Sequence, residues 1–382
     1  MRVGINLLPY TAESHGGAEV YLRSISNALS KKLEGHRIFI IGTREVVNSA
    51  CRANTVLEPI MVPRVLNGSR LERIILEQTL LPILCSMYKL DCIVSNYVSP
   101  IIAPCPKVTV IHDTIFKRYP ETLERLKLLY WRLMIPFSIL CSAAIATVSH
   151  FSAEEIATFY PRAKPRLFVT VEGVRPSLMA VKIGGNNEVH DYSVPYLLCV
   201  TSYGKHKNLD SMMRALATLP KEAYDVRLVL VGAARTLDAI KYRAGLEALI
   251  DELGLAKRVE FANYVSDEEL AGLYRNALGL ILPSLYEGFG LPVIEAHRFG
   301  CPVLCSNMAS LPEIAGDGAL LFDPTSVESI AQAVMTLLDS RTLRQQLAEN
   351  GYKNAERFSW EKAASELKAA IDFTVKSCRE PK

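Results

Sequence analysis

The chain has 382 residues, 49% hydrophobic and 22% charged, which allows more than one packed core and excludes a disordered, collagenous or coiled-coil chain. Its net charge of +3 lacks the basic excess of a nucleic-acid binder, so no nucleic acid is expected as a partner. The sum hides an asymmetry: residues 1–180 carry 21 Lys and Arg against 14 Asp and Glu, and residues 181–382 carry 22 against 26.

Met1 to Leu7 lacks the long apolar core of a signal peptide and reads as a first strand, which predicts a cytoplasmic chain. Short apolar runs without polar alternation recur at 3–8, 37–41, 92–95, 107–111, 143–148, 196–201, 226–231, 277–282 and 301–305. Amphipathic stretches separate them, the pattern of parallel strands covered by helices on both faces. Residues 133–153 hold no Asp, Glu, Lys or Arg and are long enough to cross a bilayer. Pro136, several serines and the change of texture at Ala143 to Val148 read instead as a helix end followed by a buried strand. The nine cysteines form no C-x-x-C pair and no metal spacing, and most lie in apolar runs, as in a reducing compartment.

The alternation breaks once, at 182–193, where a Gly-Gly and an Asn-Asn suit an exposed linker. The expected organisation is an N-terminal α/β domain over 1–181 and a C-terminal one over 194–359, each a Rossmann-like doubly wound parallel sheet. Ligands in such sheets meet the carboxyl ends of the strands, so the loops at 9–19, 112–120, 201–208 and 283–292 are the candidates for chemistry.

Gly16 and Gly17 precede an amphipathic helix, where backbone amides can approach an anion or simply make a tight turn. His112 and Asp113 follow an apolar strand and admit a general base, a metal ligand or a structural hydrogen-bonded pair. Ser202, Lys205, His206 and Lys207 follow the first strand of the second half, and the two lysines and the histidine make a compact cation cluster suited to a leaving diphosphate or a solvated basic turn. Glu287 lies in a loop with glycines on both sides of Phe289, and Pro292 is placed to begin a short helix that carries Glu295 and closes at Gly300. No G-x-G-x-x-G is present, which removes the main support for a dinucleotide dehydrogenase.

Taken in order, these segments resemble the retaining glycosyltransferases of family 4, which have the two-domain GT-B fold facing a central cleft. The series runs through Gly16-Gly17-Ala18-Glu19, His112-Asp113, Ala146 to Ser152, Lys207-Asn208-Leu209, Val229 to Gly232, Val259 to Leu270, Pro283 to Ala296, Ser310 to Asp317 and Phe358-Ser359-Trp360. Glu287 and Glu295 match the family's Glu-x7-Glu motif. The resemblance implies that Glu295 binds the donor ribose and Glu287 faces the transferred sugar. It also implies that the amides of Phe289, Gly290 and Leu291 cradle sugar and diphosphate, and that Lys207 neutralises the leaving group. Gly16 and Gly17 match a loop that closes over the diphosphate, His112 a histidine near the reacting sugar, and Val265 a contact to the nucleobase. The helix from Trp360 to the end, 360–382, is implied to pack back on the N-terminal domain. Two positions depart from the family pattern: His206 stands where many relatives have arginine, and Glu172 where they commonly have asparagine.

The resemblance thus implies a retaining hexosyltransferase using a nucleotide-sugar donor, GDP-mannose above UDP- or dTDP-sugars, in bacterial surface-polysaccharide assembly of the O-antigen kind. No Asp-x-Asp occurs in the chain, so a metal-independent enzyme without cofactor is expected, with Lys207 and Lys205 stabilising the leaving diphosphate. A glycan or polyprenyl-diphosphate-linked acceptor is implied by the resemblance. Arg64, Arg70, Arg73, Lys117, Arg118, Arg125, Lys127 and Arg132 lie near apolar and aromatic residues, which suits peripheral contact with an anionic inner membrane face. The alternatives are a sugar-nucleotide 2-epimerase of the same architecture and a non-catalytic sugar-binding module.

Overall fold

The computed structural model describes residues 1–10, 17–33, 35–52, 54–63, 70–181, 194–220 and 225–379. The predicted linker at 182–193, together with Gly16, His15 and Arg64, lies outside them. Two compact units emerge: one from residues 1–116, 125–172 and 359–382, the other from 117–124 and 173–358. The division therefore falls between Glu172 and Gly173, ahead of the 182–193 segment.

The first unit is built on seven strands: β1 (Arg2–Asn6), β2 (Arg37–Thr43), β3 (Leu57–Val62), β4 (Cys92–Asn96), β5 (Lys107–Val110), β6 (Ala144–Thr147) and β7 (Leu167–Val169). They form one all-parallel sheet in the order β3-β2-β1-β4-β5-β6-β7. Val3 lies between Ile38 and Cys92 in register. Val3, Ile5, Ile40, Ile93, Val108 and Val110 are fully buried, as expected of strands covered on both faces. The order reverses between β1 and β4, the switch point at which such sheets open a ligand crevice.

The uncharged stretch at 133–153 is divided among the helix Arg125–Cys141, which contains Pro136, the strand β6 and the helix that begins at His150. No helix among the described residues is long and apolar enough to cross a membrane. The last helix, Trp360–Arg379, belongs to the first unit. Ala363, Ala364, Leu367, Ala370, Ile371 and Thr374 form its buried stripe at helical spacing, Trp360 meets Tyr21 edge-on at 6.0 Å, and Phe373 meets Phe168 at 5.5 Å.

The second unit carries β8 (Tyr196–Val200), β9 (Arg227–Val231), β10 (Val259–Phe261), β11 (Gly279–Leu282), β12 (Val303–Ser306) and β13 (Ala319–Phe322). These are parallel in the order β10-β9-β8-β11-β12-β13. Its switch point lies between β8 and β11, which brings the loops after those strands, 201–208 and 283–290, side by side. A glycine is obligatory where β9 ends beside β8: a Cβ on Gly232 would meet the carbonyl oxygen of Thr201 at 1.8 Å.

All nine cysteines are unpaired; six are buried, Cys51 is half-buried, and Cys141 and Cys378 are exposed.

Candidate active site

In the second unit, Lys205–Lys207 form one 3-10 turn that ends at Asn208 in the left-handed conformation (φ 55°). Asparagine tolerates that conformation, and its amide here donates to Pro283 O (3.2 Å) and Pro324 O (2.7 Å) while its Oδ1 accepts from Ser211 Oγ (2.8 Å). Asn208 thereby ties the loop after β8 to those after β11 and β13. The Leu285 amide donates to His206 O (2.8 Å), a second link between the two loops.

That framework brings Lys207 to Glu287, with Nζ 2.7 Å from Oε1 and side chains 13% and 17% exposed. Ser284 Oγ donates to the same oxygen at 2.8 Å. Burial alone would raise the Glu287 carboxyl, but the Lys207 ammonium, with help from the Ser284 hydroxyl, outweighs it and holds the group below the usual carboxylate range. Burial and the Lys207 charge push His206 down to about 4, so it stands neutral near pH 7, with Nδ1 buried and lacking a hydrogen bond. His206 therefore supplies no cation in place of the family arginine. Lys205 and Ser202 are exposed.

The glycine-bearing loop is fixed from behind. Ser310 Oγ makes hydrogen bonds to Glu287 O (2.9 Å) and Phe289 O (2.7 Å), and the Phe289 ring is buried against Phe358 at 5.6 Å. Gly290, at φ 111°, has Leu311 Cδ2 where a Cβ would sit (2.8 Å). The next helix is Leu291–Arg298, so Leu291 opens it and Pro292 is its second residue; Gly300 lies just beyond its end at φ 68°.

Glu295 is buried in that helix, and three groups converge on its carboxylate: Arg175 Nε at 2.6 Å from Oε1, an Arg175 guanidinium nitrogen at 3.3 Å from Oε2, and Tyr274 OH at 3.0 Å from Oε2. Arg175 also pairs with Asp267 at 3.2 Å. Burial opposes the Arg175 charge, yet Glu295 and Asp267 raise the guanidinium above its ordinary value. Nothing in the sequence pattern marks Arg175 or Tyr274, because their link to Glu295 is made only by the fold. Val265 is half-buried just ahead of Ser266, which caps the helix Asp267–Asn276 in a reciprocal box with Glu269.

The first unit gathers a second polar cluster where β4, β5 and β7 end. His112 is buried; its Nε2 is 3.2 Å from Asn96 Oδ1 and its Nδ1 is 3.5 Å from Glu172 Oε1. Asn96 donates to Tyr10 OH (2.5 Å) and to Ala18 O (2.8 Å), the latter in the first turn of the helix Gly17–Lys32. Gly17 opens that helix and is exposed. Tyr97 adopts φ 55°, a strained conformation for an aromatic residue. It stacks on Trp131 at 4.7 Å, faces His112 at 5.5 Å and donates its hydroxyl to Asp113 Oδ2 at 3.0 Å. His112 is marked in the sequence by its place after an apolar strand, whereas Asn96, Tyr97 and Glu172 join it only through the fold.

His297 belongs to packing. It is fully buried, its Nε2 lies 3.1 Å from Gly318 O and its Nδ1 3.2 Å from the Asn354 amide. Burial pushes it down to about 4.

Residues 15–178 match the family described as Glycosyltransferase Family 4, and residues 186–354 match Glycosyl transferases group 1. The chain is 29% identical over 264 residues to O-antigen chain mannosyltransferase B of Escherichia coli, covering 68% of each protein. It is 33% identical over 236 residues to the MMP alpha-(1->4)-mannosyltransferase of Mycolicibacterium hassiacum, covering 60% of this chain and about half, 54%, of that protein. The fold is shared with HepE of Anabaena, solved in complex with UDP and glucose, at TM-score 0.73 and 18% identity over 97% of this chain and 99% of that one. With two Rossmann-like units matched in order by the two family models, the chain belongs to the family 4 glycosyltransferases of GT-B fold.

Proposed function

We propose that this glycosyltransferase is a retaining, metal-independent hexosyltransferase that moves mannose from GDP-mannose onto a lipid-linked or oligosaccharide acceptor in surface-polysaccharide assembly. The observation that carries the reading is Lys207 held against Glu287 at the switch point of the second unit. Breaking the bond from the anomeric carbon to phosphate places negative charge on the departing nucleoside diphosphate. Lys207, the exposed Lys205 and the N-terminus of the helix Leu291–Arg298 supply positive charge there, where one preorganised donor is worth about 3 kcal/mol by analogy with oxyanion holes. The new bond forms on the same face of the sugar, and the acceptor proton passes to the departing phosphate oxygen. Glu287 stays ionised throughout, consistent with a carboxyl held low by Lys207, and acts through charge and position. Glu295 takes the ribose hydroxyls by exchanging them for part of its contact with Arg175. The amides of Phe289, Gly290 and Leu291 meet sugar and diphosphate, Val265 meets the base, and Gly16 and Gly17 meet the diphosphate. His112 acts beside the reacting sugar.

The choice of mannose rests on the mannosyltransferases of Escherichia coli and Mycolicibacterium hassiacum that the chain resembles. The membrane part of the reading rests on the helix Arg125–Cys141. Leu126, Leu129, Leu133, Phe137 and Leu140 recur along it at intervals of three and four and are all exposed, 49–80%. Arg125 and Arg132 are exposed beside them, and the helix itself holds no acidic residue. An apolar ridge with flanking cations suits peripheral binding to an anionic leaflet.

The test is transfer from GDP-mannose to a polyprenyl-diphosphate-linked saccharide in vesicles, with the anomeric configuration of product read by NMR. Retained configuration without added divalent cation is expected. Transfer from UDP- or dTDP-sugars alone overturns the donor assignment, and conversion of donor without hydrolysis or acceptor would point to an epimerase.

A further inference from the structure

We propose that Glu172 is the positioning residue of His112, facing Nδ1 while Asn96 holds Nε2, so that both ring nitrogens are engaged and the imidazole acts by its placement, never as a general base. This rests on the reading that His112 faces the reacting sugar.

The argument starts at Asn96. Its amide nitrogen donates to both Ala18 O and Tyr10 OH, which leaves Oδ1 as the atom facing His112 Nε2. An oxygen acceptor there requires Nε2 to carry hydrogen. On the other side of the ring, Nδ1 faces a carboxylate oxygen at 3.5 Å. A bare nitrogen would oppose two lone pairs in a buried setting, so the stable arrangement puts a proton between them. Both nitrogens are then occupied, and no lone pair is left to take the proton of an acceptor hydroxyl.

The other polar groups around the ring have their own contacts. Tyr21 meets the ring edge-on at 5.0 Å, but its hydroxyl is engaged with Thr170 Oγ1 at 2.6 Å. Burial, with the Glu172 charge adding to it, raises the Tyr21 phenol far above its ordinary value. Asp113, the next residue, accepts from Tyr97 OH and from the Ile115 amide. Glu155 accepts from Thr114 Oγ1 at 3.1 Å, and Ser152 Oγ donates to the His112 carbonyl. Glu172 is the carboxylate in ion-pair contact with the His112 ring.

The test compares wild type with Glu172→Gln and Glu172→Asp, using 15N-labelled histidine and donor kinetics near pH 7. The expected result for Glu172→Gln is loss of the Nδ1 proton signal and a fall in kcat of about 10-fold with donor KM unchanged, by analogy with the orienting partners of metal-bound histidines, which cost about 10- to 100-fold. Glu172→Asp is expected to restore the signal and part of kcat. An unchanged ring spectrum in Glu172→Gln overturns the inference, and so does an equal loss in both variants. His112→Gln separates the two layers: full activity in that variant sinks the placement of His112 beside the sugar, while the ring spectrum still decides the role of Glu172.

Discussion

Replacing Lys207 by methionine removes the ammonium but keeps most of the apolar stem. At 2.7 Å from Glu287 Oε1, an effective dielectric of about 20 gives roughly 6 kcal/mol of gross attraction. Desolvation of both ions offsets much of it. Cutting one partner of a fully buried pair costs about 3–5 kcal/mol, and because both side chains remain 13–17% exposed solvent recovers part, leaving about 2 kcal/mol. For a unit of this size that lowers Tm by about 4–8 °C. Catalysis suffers more: a missing donor at the leaving group, about 3 kcal/mol, lowers kcat/KM by ~150-fold. The pH dependence has a definite sign. A carboxyl held below its ordinary value of 4.5 contributes stability that is present above that value and lost as pH falls through the native one. In Lys207→Met burial is less opposed, so the rise in stability as pH climbs from the native value to about 4.5 shrinks. Thermal melts across that range and initial rates with saturating acceptor read both effects. Lys207→Met within threefold of the wild-type kcat/KM would refute the role assigned to the ammonium, and an unaltered melt profile would refute the pairing.

Gly232→Ala is expected to prevent the second unit from folding, because no side chain fits 1.8 Å from the Thr201 carbonyl, whereas Gly254→Ala, at φ 67° with open space around it, should cost only about 1 kcal/mol in a denaturant titration. Arg175→Met leaves the buried Glu295 carboxylate with Tyr274; a loss of about 3 kcal/mol in stability and a raised donor KM are expected, and an unchanged KM would detach this cluster from donor binding. His297, held down to about 4, is stable as the neutral ring. Its contribution is intact above the ordinary histidine value and is lost as pH falls from about 6.5 toward 4, on the order of 3 kcal/mol. His297→Gln should flatten that limb of the stability curve. Leu129→Ser with Leu133→Ser should reduce sedimentation with anionic vesicles while leaving transfer to a soluble acceptor unchanged.

The strands that apolar runs revealed are the interior ones. Those they did not reveal, β3, β7, β10 and β13, are the four sheet edges. β3 reads Leu57-Glu58-Pro59-Ile60-Met61-Val62, with a proline and an exposed face that an interior strand would not tolerate, and β7 and β10 are only three residues long. An edge strand lacks one neighbour, so its sequence is released from the requirement that made the others visible. The candidate site divides in the same way. Glu287, Glu295 and Lys207 stand in ordered local motifs, whereas Arg175 reaches Glu295 across 120 positions and His112 meets Asn96 and Glu172 through strands β4, β5 and β7. No local periodicity encodes such meetings, because each depends on the order of strands in the sheet.

Ser310 has a consequence for how such an enzyme can diversify. Its hydroxyl fixes the carbonyls of Glu287 and Phe289 from the side of the loop that faces the protein interior. The shape of the cradle is therefore stored in residues that need never touch a substrate. Side chains on the open side are free to change over evolutionary time, or in a directed library, without erasing the backbone geometry beneath them. A library that spares Ser310, Gly290 and Asn208 while varying Tyr264, Val265 and Ser202 should retain folded members at high frequency, and changes of nucleotide preference should be found there.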